Sequence, residues 1–570
     1  MDDSAALAGF LGQFPMFARL DDGRRRRLAA GARVVQVPAG EWAFRQGDQP
    51  RGLYLVRTGR LELWKDEVQI GSVAAGATLG EVSLLAGEPH AVSAVARRDA
   101  ELVLVGGDDF LGLTSDPAFS AALLTDLGRM LAASGTFSRF RPKMKRSVLA
   151  LVPVGLEVSI ARVRDELVAR LAEWGPTAVW STDDFDRPPE ADDFPALGRR
   201  LDELEHGHEF VVLETDPSVR PSPWTAFCAR QADRILGVAG SEQAPPPTYE
   251  GSRTQLRGCE LVFAEPSSPE TRRGWLDRLA PRAHYYLPSC ASLTEAIGVL
   301  TRRVTGRSVG LVLSGGGARG LAHIGAIQGL LDAGIVIDRV GGTSMGAFVG
   351  ALFAMGHQPA EVVELCRREL VQRKPFNDFS VPLVSLARGR RANAMMLRLF
   401  GPAHIEDLDL DFFCVTADLA AGEAVVHRRG DVISTVGASM SIPGWAPPVP
   451  FEGRVLVDGG VLDNFPVGVM AATGEGPVIG VDAMAGSSLV GAAAAAKGRL
   501  PTIMETLGGA ATLGSRRLAQ AQSEEAALVI RPDVAGVGLI DFQHLDRLFE
   551  IGRATAAEAV AAGGLGLVLT

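Results

Sequence analysis

What this chain has little of narrows it first. Its five cysteines (Cys228, Cys259, Cys290, Cys366 and Cys414) are scattered, odd in number and never arranged as C-x-x-C. That argues against a disulfide framework and a zinc site, and fits a reducing cytoplasm. Lysine is scarce, five among 57 basic residues, a bias of GC-rich coding to which no function attaches. The net charge of −10 denies the chain the basic footprint that general nucleic-acid binding needs. No uninterrupted apolar run of about 18 residues occurs, and the N-terminal MDDSAALAGFLGQF lacks the basic region and apolar core of a signal peptide. The expectation is a cytoplasmic protein, neither secreted by a standard signal nor membrane-spanning. With 47% hydrophobic and 22% charged residues, disorder is not indicated either.

A length of 570 residues exceeds one ordinary domain, and the texture changes along it. Residues 34–105 alternate apolar and polar positions in short pieces such as LYLV (53–56) and RLELW (60–64), broken by turn signals, which is the pattern of a β-roll. Helical segments at 21–31 and 116–134 flank it. The basic RFRPKMKR (139–146) reads as a linker between a first domain, 1–138, and a second, 147–300. In the second, SVLALVPV, FVVLETD and RILGVAG read as buried strands and VRDELVARLAEWG as a helix, with no Walker-type lysine loop. An α/β domain with a structural role is expected there. From 301 to 570 strand, glycine loop, helix, strand, sharp turn and helix succeed one another, which predicts a mostly parallel sheet wrapped by helices. The fold class is therefore multidomain: a β-roll, a middle α/β domain and a C-terminal α/β domain.

The chemistry lies in the third domain. GLVLSGGGARG (310–320) ends an apolar run in a glycine cluster. Gly315, Gly317 and Gly320 satisfy G-x-G-x-x-G, and Asp338 falls near the spacing of a ribose-binding acid, so an NAD(P)-dependent oxidoreductase is one reading. Further on, G-T-S-M-G (342–346) comes after a strand candidate and opens an apolar helix, the context of a nucleophile elbow bearing Ser344. A serine hydroxyl needs a base. His323, His357, His404 and His427 do not stand in a turn after a late strand, so packed or surface roles suit them better. Asp458 ends the strand VLVD before Gly459 and Gly460, and is either the base or the corner of a D-G hairpin.

Taken together, SGGGARG (314–320), GTSMG (342–346), ASMSIPGWAPPV (438–449) and DGGVLDNFP (458–466) resemble the four blocks of the patatin-like phospholipase family. The resemblance implies a serine acyl hydrolase with a Ser–Asp dyad and no histidine. Ser344 would be the nucleophile, Asp458 the base, and Gly315, Gly316, Gly317, Ala318 and Arg319 the oxyanion hole. It also implies a phospholipid or lysophospholipid substrate, with no metal and no cofactor. The N-terminal PAGEWAFRQGDQPRGLYLVRTGRLEL (38–63) and LGEVSLLAGEPHAVSAVA (79–96) resemble the cyclic nucleotide-binding domain. Gly80 and Glu81 match that family's ribose contact, but His90 stands where its phosphate-binding arginine would. A mostly neutral imidazole does not replace a charged bidentate fork. Binding of a cyclic nucleotide at Gly80, Glu81 and His90 thus cannot be inferred from the fold. The β-roll either regulates the hydrolase, or is a cyclic-nucleotide sensor to which the hydrolase domain is a passive partner, or serves intramolecular docking or homo-oligomerisation. With WTAFCARQAD (224–233) between them, the two domains resemble the soluble part of neuropathy target esterase and its bacterial relatives. Finally, residues 366–400 hold eight basic side chains against two acids, interleaved with Phe376, Phe379, Met395, Met396 and Phe400. Such a stretch suits peripheral contact with an anionic inner-membrane surface, or a solvated helical face.

Overall fold

The structure is a computed structural model that describes residues 3–65, 68–135, 147–154, 160–215, 222–241, 256, 258–289, 292–379, 384–485, 506 and 509–564. The expected linker at 139–146 lies outside the described residues. The chain divides into two compact units, Met1–Thr301 and Arg302–Thr570.

In the first unit the short alternating segments close into a β-roll of two four-stranded sheets. One runs in the order Arg33–Val37, Ala100–Gly106, Gly52–Thr58, Thr78–Leu79; the other Trp42–Phe44, Ser93–Ala96, Arg60–Lys65, Val68–Ala74. After the roll the same unit holds a six-stranded sheet, parallel throughout, in the order Thr177–Trp180, Phe210–Glu214, Ser147–Pro153, Arg234–Ala239, Glu260–Phe263, Ala283–Tyr286. Every residue of Ser147–Pro153 is buried, as a central parallel strand covered on both faces requires. The strands at 177, 260 and 283 are only four residues long. They are too short for a hydrophobic period to declare them in the sequence.

The second unit is built on an eight-stranded sheet. Arg339–Thr343, Gly310–Leu313, Val478–Val481 and Leu528–Ile530 lie side by side and parallel. The sheet is mostly parallel, as the sequence pattern implies, and departs from that pattern around one strand. Asp411–Asp418 pairs parallel with Arg339–Thr343 but antiparallel with Glu423–His427 and Arg454–Asp458, and the last of these forms a hairpin with Val449–Phe451.

This departure positions the site. Residues 414–418 of the strand Asp411–Asp418 are bordered on one flank by Glu423–His427. The other flank is shared, with Arg339–Thr343 pairing as far as Val415 and Arg454–Asp458 taking over from Thr416. Thr343 faces Val415 and Asp458 faces Thr416, so two strands running in opposite senses meet end to end at adjacent rungs. The residue after Thr343 is Ser344. Behind it the helix Met345–Ala354 is buried at every position, which fixes the turn that leads into it.

Candidate active site

Ser344 is a non-glycine residue held at φ 56°, ψ −121°, between the end of a strand and the first turn of a helix. A positive φ of this kind costs on the order of 1–3 kcal/mol and persists only where the surroundings enforce it. Here they do. A Cβ on Gly346 would lie 2.2 Å from the carbonyl oxygen of Leu313, so only glycine lets the helix start this close to the neighbouring strand. The amide of Ser344 donates to Ser439 Oγ at 2.9 Å, and that hydroxyl donates to the carbonyl of Val415 at 2.6 Å. Val415 is the rung where one strand hands over to the other, so Ser439 ties the elbow to the junction in the sheet.

The Ser344 hydroxyl donates to Asp458 Oδ2 at 2.7 Å, while Asp458 Oδ1 accepts from the amide of Gly460 at 2.8 Å. Asp458 therefore turns its own loop and also holds the serine proton. Both side chains are buried. Burial pushes the Asp458 carboxyl up to about 6, and the bonds from Ser344 and Gly460 restrain the rise. Its ionised form is thus a stronger base than a solvated aspartate, yet still prevails at neutral pH.

The glycine loop lies against this pair. A Cβ at Gly315 would sit 3.2 Å from Ser344 Cβ and collide with Asn464 Oδ1 at 2.3 Å, and Gly317 has φ +56° beside the backbone of Leu539. Not all five loop residues have an amide to offer. The N–H of Gly315 is taken by the carbonyl of Asn464 and that of Ala318 by Leu539, while Arg319 bonds back to Gly316. The N–H groups of Gly316 and Gly317 have no acceptor among the described residues. The Arg319 guanidinium is spent on structure as well: Nε donates to the carbonyl of Val537 at 2.7 Å, and burial lowers its pKa with no opposing acid.

His323 is fully buried and donates from Nε2 to the carbonyl of Ser314 at 2.8 Å, bracing the residue that opens the loop. Burial lowers it to about 4, so the ring is neutral at pH 7. His427 bonds to Thr416 Oγ1 at 2.7 Å and is likewise held near 4 by burial. Packed roles thus suit both. Asn464, Asp463 and Ser439 all lie in the four sequence blocks, but nothing in the sequence singles them out. The carbonyl of Asp463 accepts from Thr343 Oγ1 at 2.9 Å, so one short loop after Asp458 clamps both the elbow and the glycine loop.

The dinucleotide reading is overturned. Gly315 to Gly320 leave the C-terminal edge of the sheet, whereas Asp338 precedes its strand at the opposite edge, since Gly310 pairs with Arg339. A ribose-binding acid has to stand at the C-terminal edge with the loop. Asp338 is instead buried in a bidentate pair with Arg302, closest at 2.6 Å.

In the β-roll, Gly80 (φ 93°) starts the helix Glu81–Ala86, and Glu81 is buried with its carboxyl pushed up by desolvation. His90 is buried and stacked on Phe44 at 3.9 Å between ring centroids, and burial lowers its pKa. The three residues do converge, since a Cβ on Gly80 would touch His90 Cε1 at 3.4 Å, but no permanent cation stands among them. Among the described residues there is no group of three or more His, Cys, Asp or Glu side chains able to hold a metal ion, and no helix long and apolar enough to cross a membrane.

A serine on a strand-to-helix elbow, a buried strand-end carboxylate and a loop of free glycine amides belong to an ester hydrolase. The patatin-like phospholipase family model matches residues 311–471, which carry all three, and the cyclic nucleotide-binding domain model matches residues 34–116. An NTE family protein of Mycobacterium tuberculosis is 33% identical over 572 residues, spanning 96% of this chain and 95% of its own. The chain belongs to the NTE family, and it is a lipid ester hydrolase. Lysophospholipase nte1 of Aspergillus niger is 28% identical over 639 residues (91% of this chain, 41% of the relative). Patatin-like phospholipase domain-containing protein 6 of Homo sapiens is 29% identical over 601 residues (90% and 43%).

Proposed function

We propose that this protein hydrolyses the fatty-acyl esters of lysophospholipids or phospholipids with Ser344 as nucleophile and Asp458 as its base. The observation that carries the reading is the buried 2.7 Å hydrogen bond from Ser344 Oγ to Asp458 Oδ2 at the elbow. Ser344 Oγ attacks the acyl carbonyl carbon as its proton passes to Asp458. The carbonyl oxygen becomes an oxyanion held by the amides of Gly316 and Gly317, at the end of the sheet where the helix Met345–Ala354 begins and its dipole is positive. Collapse of the tetrahedral intermediate breaks the ester C–O bond, and Asp458 returns the proton to the departing glycerol oxygen. Water, deprotonated by Asp458, then attacks the acyl carbon; the bond to Ser344 Oγ breaks, Asp458 returns the proton to Oγ, and the fatty acid leaves. Among the described residues, the buried histidines His323 and His427 bond to groups outside the reacting pair, so the reaction is written with Asp458 as its base.

The N-terminal roll acts in this reading as a structural module rather than a nucleotide sensor. A neutral, stacked His90 does not neutralise a cyclic phosphate, and calorimetry with cyclic AMP and cyclic GMP is expected to give no heat. The hydrolase reading is tested by labelling with a fluorophosphonate probe and by a lipid hydrolysis panel on the wild type, Ser344→Ala and Asp458→Asn. Labelling that survives in Ser344→Ala, or a folded wild type that neither labels nor releases fatty acid, would overturn it.

A further inference from the structure

The cationic stretch at 366–400 contains two kinds of basic residue. Glu369 is fully buried, and against the cost of that burial Arg398, Arg373 and Arg368 surround it and hold it ionised, with contacts of 2.6, 2.5 and 3.2 Å. Arg367 pairs with Asp546 at 2.7 Å. These four are structural. Lys374, Arg388, Arg390 and Arg391 are exposed, and none pairs with a carboxylate among the described residues. The nearby Asp378 carboxylate does not cancel them side chain to side chain, because it accepts from the backbone amides of Arg390 and Arg391.

Large apolar groups stand uncovered in the same segment. Phe379 is 60% exposed and Val384 72%, and Phe379 pairs with Ala387 in a small antiparallel bridge. Leu397 is 55% exposed, two turns along from Arg390 on the same face of the helix Arg390–Phe400. The segment is fastened to the active-site loop. The amides of Leu386 and Ala387 donate to the carbonyls of Gly444 and Trp445, and Phe379 meets the Trp445 ring edge-on at 6.2 Å. That loop begins at Ser441, whose carbonyl accepts from the amide of Asp458 at 2.9 Å. Bare apolar side chains among unpaired cations, on a chain whose net charge is −10, fit a partner that is both anionic and oily.

We infer that Arg388, Arg390 and Arg391 with Phe379 and Val384 form a docking surface for an anionic lipid bilayer, placed to feed acyl chains to the neighbouring site. The inference rests on the lipid hydrolase reading but fails separately from it. Flotation of the full-length protein with vesicles of phosphatidylcholine alone, or mixed with phosphatidylglycerol, is the test. Binding is expected only to the mixed vesicles and to weaken with salt. The R388Q/R390Q/R391Q variant is expected to lose at least tenfold in vesicle binding and in vesicle hydrolysis, and F379S/V384S to lose binding at all salt concentrations. Turnover of a short-chain soluble ester is expected to stay at the wild-type level in the charge variant, and an unchanged circular dichroism spectrum shows that F379S/V384S is folded. Wild-type vesicle binding by the charge variant, or capture of polyglutamate in place of vesicles, would overturn the surface while leaving the hydrolase intact. Lost vesicle binding in the variants of a protein that hydrolyses no ester would uphold the surface and sink the hydrolase.

Discussion

Asp458 and Ser439 make opposite kinds of contribution to the site. In the proposed reaction Asp458 is the base and must be ionised, and burial pushes its carboxyl up to about 6, so activity is expected to fall as pH drops through about 6 and to hold above it. Asp458→Asn keeps the shape but not the proton acceptor, and a loss of about 10²- to 10⁴-fold in kcat is expected. Stability moves the other way. A carboxyl whose pKa rises from 3.8 to about 6 on folding binds its proton more tightly in the native state, so stability declines as pH rises across that window. Above pH 6 the buried charge costs up to roughly 3 kcal/mol, and Asp458→Asn is expected to melt higher than wild type at pH 8. The Ser439 hydroxyl bonds to backbone groups, the Ser344 amide and the Val415 carbonyl, and acts by position, so Ser439→Ala is expected to lower kcat about tenfold with little change in KM. Restoration of kcat by Ser439→Thr separates loss of the hydroxyl from general loosening. Ser344 and Asp458 were legible in the sequence because flanking glycines advertise a tight turn at each. Ser439 was not: a serine in an apolar helix looks like any small residue, and its partner, the carbonyl of Val415, lies 24 positions away.

At the scale of elements, the meeting of Ser344 and Asp458 depends on a change of partner along one strand. Short apolar runs announce that strands exist, and glycine clusters announce the tight turns at their ends. Neither reveals that Arg339–Thr343 and Arg454–Asp458 share a flank of Asp411–Asp418, because register is set by tertiary packing. The expected mostly parallel sheet is what carries the glycine loop and elbow, while the antiparallel strands that bring in Asp458 have no signal of their own in the sequence. The helices Ala322–Asp332 and Leu545–Ala559 show a similar limit: glycines that lower helix propensity stand in both because the backbones nearly touch. A Cβ on Gly552 would lie 2.0 Å from the carbonyl oxygen of Ala322. Gly552→Ala gains helix propensity yet has to push the pair apart, and a net loss of about 1–3 kcal/mol is expected from overpacking. The displaced helix, Ala322–Asp332, carries His323 beneath Ser314, so fluorophosphonate labelling is expected to slow together with the fall in Tm.

For the molecule as a whole, the likeness of the roll to a ligand sensor matters less than what the roll is fastened to. Within the first unit, Arg98 leaves the roll fully buried and pairs with Glu205 at 2.8 Å and with Asp233, which caps the start of the central strand Ser147–Pro153 through a bond from the Val148 amide at 2.9 Å. Arg60 reaches the same carboxylate at 3.1 Å, and Arg97 reaches the Asp233 carbonyl at 2.8 Å. Against the cost of burial, Arg98 and Arg60 hold the Asp233 pKa below its ordinary value. The stabilisation is thus present above about pH 4 and lost as pH falls through that lowered value. Removing one partner strands a charge in the interior, so Arg98→Ala is expected to destabilise the first unit by about 3–5 kcal/mol. Arg98→Met with Asp233→Asn removes both charges of the buried pair and leaves Arg60 facing Glu205 at 3.6 Å, and its melting temperature is expected to exceed that of Arg98→Ala. Calorimetric scans of the two variants check this. A double variant that melts no higher than Arg98→Ala would mean that the roll is held by its apolar contacts, with the ion pairs only decorating the seam.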